Sequence, residues 1–312
     1  METYLALDFG GTKLLAGEVD EDGKILRYER YETGYVDQES AVRIISDCLE
    51  DYMKHGWYGS VPAAAGIGII GRVDARNGIW LEIDPGRSKA VDLAAVVKKA
   101  TGLSCRADND VKAAVRAELK WGAGRDCANF IYLNVGTGIA AGAVENGRII
   151  RGGHWCAGEV GHVSSCISVG TQCVCGRKDC VETIASGIGF DMCARLLAGK
   201  YESALQIPET GRVDVREVYR LSREGDKLCS VLVDNAAEAI AGLVMDMVRM
   251  SDPEKIILGG GIVSDSYMLD KVKANMPGTT MRFVTSMEAS SLDPAFAGLL
   301  GAAAVAADGM AF

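Results

Sequence analysis

Residues 7–26 read LDFGGTKLLAGEVDEDGKIL, and residues 133–150 read LNVGTGIAAGAVENGRII. Each stretch is an alternating apolar strand, a tight Gly/Thr turn, a second strand, then an acidic-Gly turn opening a third strand. Roughly one domain's length of chain separates the copies, too long a period for a solenoid. The simpler inference is two related halves, each opening with an antiparallel meander whose first turn is glycine-rich.

Outward from these stretches, helical and strand patterns alternate as in a mixed α/β protein. Residues 38–54 carry Ala41, Ile44, Ile45, Cys48, Leu49 and Tyr52 as a one-faced helical stripe. AAAGIGII (63–70) reads as a short buried strand followed by a Gly-Arg-Val-Asp turn. Residues 92–101 read as a second helix, and SCRAD as a strand ending at Asp108. Asn109 and Asp110 then open a helix with the apolar face Val111, Ala114, Val115 and Leu119. In the second half, 230–250 is a long amphipathic helix, and KIILGGGIV (255–263) is a strand, a glycine turn and the start of a helix. The alanine-rich residues 295–309 form a final helix.

The 312 residues suffice for two domains. Hydrophobic residues at 48% against 24% charged give the balance of a soluble globular chain, and no apolar run approaches a membrane span. METYLALDFGG lacks the basic region and cleavage site of a signal peptide, so a cytoplasmic protein is expected. A net charge of −9 argues against general nucleic-acid affinity, which needs clustered Lys and Arg. Ten cysteines in a chain of this length do not read as a disulfide scaffold. Seven are scattered, whereas Cys173, Cys175 and Cys180 fall within eight residues.

Three glycine turns carry the first chemical signal. In Asp8-Phe9-Gly10-Gly11-Thr12-Lys13 the glycines leave room for phosphate oxygens to reach backbone N–H groups. Asp8 can hold a metal through water, and Thr12 and Lys13 offer donors. Gly136-Thr137-Gly138 lies at the matching place in the second half, and Gly259-Gly260-Gly261 supplies a third turn. Any one could be a plain hairpin; three together can clamp a nucleotide. Asn109 and Asp110 sit at a strand-to-helix junction, where Asn caps the helix and Asp favours its positive end. The functional alternative makes Asp110 a general base. His162 with Cys173, Cys175 and Cys180 supplies the four ligands of a closed tetrahedral zinc site, structural rather than catalytic. Such a site would fix Glu159 and Glu182 as paired acceptors for a polyhydroxylated ligand.

Together these pieces resemble the ROK family of repressors, open reading frames and sugar kinases, over essentially the whole chain. DFGGTK (8–13) and GTGIAAG (136–142) are similar to its phosphate loops, GRIIRGGHWCAGEVGH (147–162) to its signature, CVCGRKDCVE (173–182) to its zinc motif, LGGGI (258–262) to its adenosine-side turn, and NDVKAAVRAE (109–118) to its catalytic segment. The resemblance implies an actin-like ATPase (ribonuclease H-like) fold with duplicated halves. It places residues 1–115 and 295–312 in a small domain and 116–294 in a large one, closing over the substrates. It further implies ATP, Mg2+ and structural Zn2+, and a homodimer. The implied activity is phosphoryl transfer to a hexose, at the 6-hydroxyl of glucose or an N-acetylhexosamine. Asp110 would be the base; Asn109, Glu159, His162 and Glu182 would contact sugar hydroxyls; Asp8, Gly10, Gly11, Thr12, Lys13, Gly136, Thr137, Gly138, Gly260 and Gly261 would serve the nucleotide.

The chain departs from the family pattern at three places. Asp179 replaces a small residue before the last zinc cysteine, which puts the local turn in question but not the ligands, and Ala140 and Ala141 stand where glycine is usual, tightening the approach. The sugar-side loop, Asn-Leu-Pro-Gly-Trp in relatives, is here Glu82-Ile83-Asp84-Pro85-Gly86-Arg87-Ser88-Lys89. This loop, over 83–89, is expected to select a sugar other than plain glucose, or an anionic or N-acylated one, unless it reflects only drift at an exposed site. The second class of function is a non-catalytic sugar-sensing regulator. A repressor would need an N-terminal helix-turn-helix, whereas the first strand here starts near residue 3.

Overall fold

The computed structural model describes residues 1–11, 13–34, 37–83 and 89–308. The chain divides into two units. One comprises Met1–Asp126, Arg151–Cys156 and the chain from Ser291 onward; the other comprises Cys127–Ile150 and Ala157–Ser290.

The first unit runs β1 (Thr3–Phe9), β2 (Lys13–Asp20), β3 (Ile25–Glu32), α1 (Gln38–Met53), β4 (Ala64–Ile69), β5 (Arg72–Asp74), β6 (Ile79–Glu82), β7 (Val91–Asp92), α2 (Leu93–Thr101), β8 (Cys105–Asn109) and α3 (Asp110–Lys120). Its main sheet has the order β3-β2-β1-β4-β8, antiparallel across β3-β2-β1 and parallel across β1-β4-β8. Strands β5, β6 and β7 form a small separate sheet.

β1 is buried along nearly its whole length because helices cover both faces of the sheet. Leu5, Leu7 and Phe9 pack with Ile45, Leu49, Tyr52 and Val97 of α1 and α2. The alternate residues Tyr4 and Ala6 pack with Ala117 of α3 and with Leu299, Ala302 and Ala303. Asp37 caps α1 in a capping box with Ser40.

The second unit runs β9 (Phe130–Val135), β10 (Ile139–Glu145), β11 (Arg148–Ile149), a single 3-10 turn (Val160–His162), α4 (Val181–Ala185), α5 (Gly187–Leu197), α6 (Val215–Arg223), α7 (Lys227–Ser251), β12 (Lys255–Gly259), α8 (Ser266–Ala274), α9 (Gly278–Met281) and β13 (Ser286–Ala289). The last helix, α10 (Ala297–Ala307), returns to the first unit. There Gly66 admits its backbone: a Cβ on that glycine would lie 2.0 Å from the Ala302 carbonyl oxygen.

The second sheet has the order β11-β10-β9-β12-β13, again an antiparallel meander followed by parallel strands. Strand for strand this repeats the first sheet, so the duplication read in residues 7–26 and 133–150 is a duplication of topology. One difference concerns the stretch after Gly261, where a helix was expected at once. The helix starts instead at Ser266, capped by Asp265. Contrary to the expectation from the sequence, α7 holds an 18-residue stretch of mean hydropathy 1.6 and is long and apolar enough to cross a membrane by length and composition. Its Leu232, Val233, Ala236, Ile240 and Val244 are buried in the core of the second unit.

Candidate functional site

In the first unit the parallel register sets Asp8 beside Gly68, Gly68 beside Asp108, and Ile69 beside Asn109. The carboxyl ends of β1, β4 and β8 therefore lie side by side, the edge where open α/β sheets bind ligands. The first glycine turn leaves β1 there, closed by the Gly10 amide donating to the Lys13 carbonyl at 3.0 Å. Thr12 lies outside the described residues. Asp8 is half-buried, and its carboxyl is pushed up to about 6 by burial, with Lys13 pulling it down. It packs against the first turn of α10: a Cβ on Gly298 would fall 2.3 Å from Asp8 Oδ2.

Asn109 caps α3, its Oδ1 accepting from the amides of Val111 at 3.1 Å and Lys112 at 3.2 Å. Its amide nitrogen donates to the Gly71 carbonyl at 3.0 Å and to Asp110 Oδ1 at 2.9 Å. Asp110 Oδ1 also accepts from the Val111 amide at 2.9 Å, so the carboxylate is held in one orientation. Negative charge at this first turn is favoured by the helix dipole. Gly68 makes the approach possible, since a Cβ there would lie 3.3 Å from that of Ala113.

Beneath this junction sits a buried ion pair that sequence reasoning missed. Arg151 donates to both oxygens of Asp108, at 2.7 and 2.6 Å, and Arg116 Nε approaches at 3.4 Å. The Asn109 amide donates to the same carboxylate at 2.9 Å. The only available signal was the position of Arg151 within 147–162, a stretch singled out for its glutamate and histidine.

In the second unit the other two glycine turns meet. Gly136 N donates to Gly138 O at 2.9 Å, and Ile262 N donates to Val135 O at 3.1 Å. Gly260, at φ +90°, presses on the end of β9, and a Cβ there would lie 2.3 Å from Val135 O. The start of α5 joins them, with Gly187 N donating to Gly136 O at 2.8 Å and Ile188 N to Thr137 O at 3.2 Å. Ser186, the cap of α5, was legible as a serine followed by glycine but was not singled out.

Glu182 ties the second turn to the cysteine segment. Its Oε2 accepts from the Ile139 amide at 2.9 Å, and Gly138 and Gly161 are the small residues that let it in. Glu159 stands directly before the 3-10 turn that ends in His162, without a side-chain capping bond. The ligand atoms of His162, Cys173, Cys175 and Cys180 lie within 4.8 Å of one another. His162 Nδ1 is 3.3 Å from Cys173 Sγ, and Cys175 Sγ is 3.5 Å from Cys180 Sγ. Such spacings fit four soft and borderline donors around one tetrahedral ion, with bonds of about 2.0–2.3 Å. The Arg177 backbone and guanidinium hold the Cys175 thiol down, to about 6, whereas burial and the neighbouring thiols push Cys180 up to about 12, so a metal would have to displace that proton.

Asp179 does not loosen this loop. Burial raises its carboxyl, but the Thr171 and Gly170 amides, the Thr171 hydroxyl and the Val169 amide outweigh it and leave the carboxyl below its ordinary range. At the sugar-side loop, Glu82 pairs with Arg72 at 2.8 Å, and residues 84–88 lie outside the described residues.

The profile of the ROK family matches residues 4–308. A glucokinase of Thermotoga maritima is 31% identical over 264 residues, 83% of this chain and 81% of that protein. An N-acetylmannosamine kinase of Citrobacter koseri is 30% identical over 306 residues, 97% of this chain and 98% of its own. The crystal structure of a ROK family glucokinase from Streptomyces griseus in complex with glucose and AMPPNP is 27% identical. It superposes with TM-score 0.76, covering 98% of this chain and all of that one. The fold is the actin-like ATPase fold, as the repeated sheet order and these neighbours together establish.

Proposed function

The chain belongs to the ROK family, and from that premise we propose that it is an ATP-dependent sugar kinase acting on a hexose hydroxyl. The observation that carries this reading is the Asn109–Asp110 junction, where a carboxylate is oriented at a helix start on the ligand-binding edge of the sheet. Asp110 is the general base. It takes the proton of the attacking hydroxyl as that oxygen bonds to the γ-phosphorus and the bond to the β-phosphate oxygen breaks, leaving ADP. Asn109, Glu159, His162 and Glu182 hold the other hydroxyls, with Nε2 of His162 turned to the sugar and Nδ1 to the metal.

The turns at Gly10-Gly11 and Gly136–Gly138 present backbone N–H groups to the phosphates, and Gly260-Gly261 borders the adenosine. Lys13 adds a positive charge. Asp8 would hold a magnesium ion through water, and that ion would supply charge neutralisation at the transferring group. His162, Cys173, Cys175 and Cys180 would hold a zinc ion in a structural role, since four protein donors complete a tetrahedral set. The substrates the reading favours are glucose and the N-acetylhexosamines, phosphorylated at the 6-hydroxyl, with the 83–89 loop selecting among them. Support comes from the relatives named above and from the order of the motifs along the chain.

The test is ADP release with Mg-ATP across glucose, N-acetylglucosamine, N-acetylmannosamine, mannose, fructose and allose. One sugar should stand well above the rest. Silence from folded, zinc-loaded protein would contradict the reading and favour a sugar sensor.

A further inference from the structure

Asp179 stands directly before the last thiol of the metal cluster with a left-handed backbone, φ +52°. Glycine adopts that conformation at no cost, whereas another residue holds it only where its surroundings compensate. The compensation is visible. Oδ1 of Asp179 accepts from three successive amides, Val169 at 3.3 Å, Gly170 at 2.7 Å and Thr171 at 2.8 Å, and from the Thr171 hydroxyl at 3.1 Å. Oδ2 accepts from the Ser168 hydroxyl at 3.3 Å. Successive N–H groups converging on one point form a concavity that binds anions. This chain fills it with its own carboxylate.

The backbone repeats the connection. Asp179 N donates to Thr171 O at 2.9 Å, and Ser165 N donates to Asp179 O at 2.9 Å. The Thr171 hydroxyl lies 2.7 Å from that of Thr183, which donates to the Cys180 carbonyl at 2.9 Å. Cys173 follows Thr171 by two residues, and Cys180 follows Asp179 directly. Both thiols are thus fixed to one small hydrogen-bonded block whose centre is a carboxylate rather than an ion.

We propose that Asp179 preorganises the metal loop. Its carboxylate locks residues 168–171 onto 179–180, so that Cys173 and Cys180 keep their ligand spacing without help from the ion, and this slows the release of a bound zinc. The inference rests on the reading of His162, Cys173, Cys175 and Cys180 as a zinc site. It assigns Asp179 to positioning, not to ligation.

The test is the rate at which the full-length, zinc-loaded protein gives up its metal to an excess of a chromogenic chelator. Asp179→Ala should release zinc at least about tenfold faster, the loss expected from emptying a set of charge-assisted hydrogen bonds. Asp179→Asn, which keeps an acceptor and tolerates the left-handed backbone, should recover part of the difference. Asp179→Gly relieves the backbone but also empties the nest. It should release faster than wild type, and it carries the test if the alanine variant does not fold. Release from the glycine variant at the wild-type rate or slower would overturn the proposal, because backbone conformation would then govern the loop. A wild-type protein that takes up no zinc overturns the site itself, and the inference with it.

Discussion

Arg151 closes on both carboxylate oxygens of the buried Asp108, at 2.7 and 2.6 Å, immediately before the Asn109–Asp110 junction. The segment Arg151–Cys156 belongs to the same unit as Asp108, although the chain on either side of it belongs to the other. A buried charge that loses one partner is costly, about 3–5 kcal/mol. Arg116, at 3.4 Å, is a poorer partner and is shared with Asp308. Arg151→Met should therefore lower stability by about 3 kcal/mol. It should also lower kcat and raise the KM for the sugar, with the KM for ATP little changed, because the junction next to the pair carries both the base Asp110 and the sugar contact Asn109. Urea unfolding and steady-state kinetics on one preparation check both; an unchanged unfolding midpoint would remove the ion pair from the account.

Asp8 gives a pH dependence with a definite sign. Its carboxyl is raised in the fold by burial to about 6 from an ordinary 3.8. The protonated form therefore favours the folded state. That contribution is complete below the unfolded value, near pH 4, and is lost as the pH rises through about 6. A shift of about two units corresponds to at most about 3 kcal/mol. Relative to wild type, Asp8→Asn should be more stable near pH 8 than near pH 4, while losing affinity for the magnesium nucleotide. Unfolding at the two pH values, paired with nucleotide titration, reads both effects. A stability difference independent of pH would mean that Asp8 titrates normally.

The first glycine turn can be separated from a plain hairpin by one substitution. A Cβ on Gly11 meets no described atom within 4 Å, and the glycine does not have a left-handed backbone. Gly11→Ala should leave the melting temperature almost unchanged. If phosphate approaches this backbone, the same methyl should raise the KM for ATP about tenfold, a loss of roughly 1.4 kcal/mol. Unaltered kinetics would return the turn to a structural role.

Metal analysis of protein purified without chelator should give about one zinc per chain. Removing it with a strong chelator should free His162 and the turn next to Glu159, while the block around Asp179 holds Cys173 and Cys180 in place, and sugar affinity should fall before nucleotide affinity does. Metal-free protein with full sugar binding would count against the four-ligand site.

Much of this was legible in the chain itself. The repeat in residues 7–26 and 133–150 announced two matching sheets because a tight glycine turn between two apolar strands leaves a clear local pattern. Helices α1, α2, α3, α7 and α10 could be placed from their apolar faces or composition to within a few residues of their bounds. The glycine turns and the Cys-x-Cys-x4-Cys spacing stood out because their chemistry needs particular residues at fixed separations. What stayed hidden depends on contacts between distant parts of the chain. Asp108 and Arg151 are 43 residues apart, and nothing local marks them as partners. Asp179 looked like a misfit in its turn, because its compensation comes from the amides of residues 169–171. The Glu182 contact with the Ile139 amide likewise appears only when both elements are in place.

The most direct measurement of the central claim is kcat for wild type and Asp110→Asn, with Mg-ATP and the preferred sugar, alongside the binding constant for each substrate. With Asp110 as the base, kcat falls about a thousandfold while sugar and nucleotide affinities stay within a few-fold of wild type. Turnover that survives the substitution undiminished would contradict the assignment of the base and, with it, the mechanism proposed for this chain.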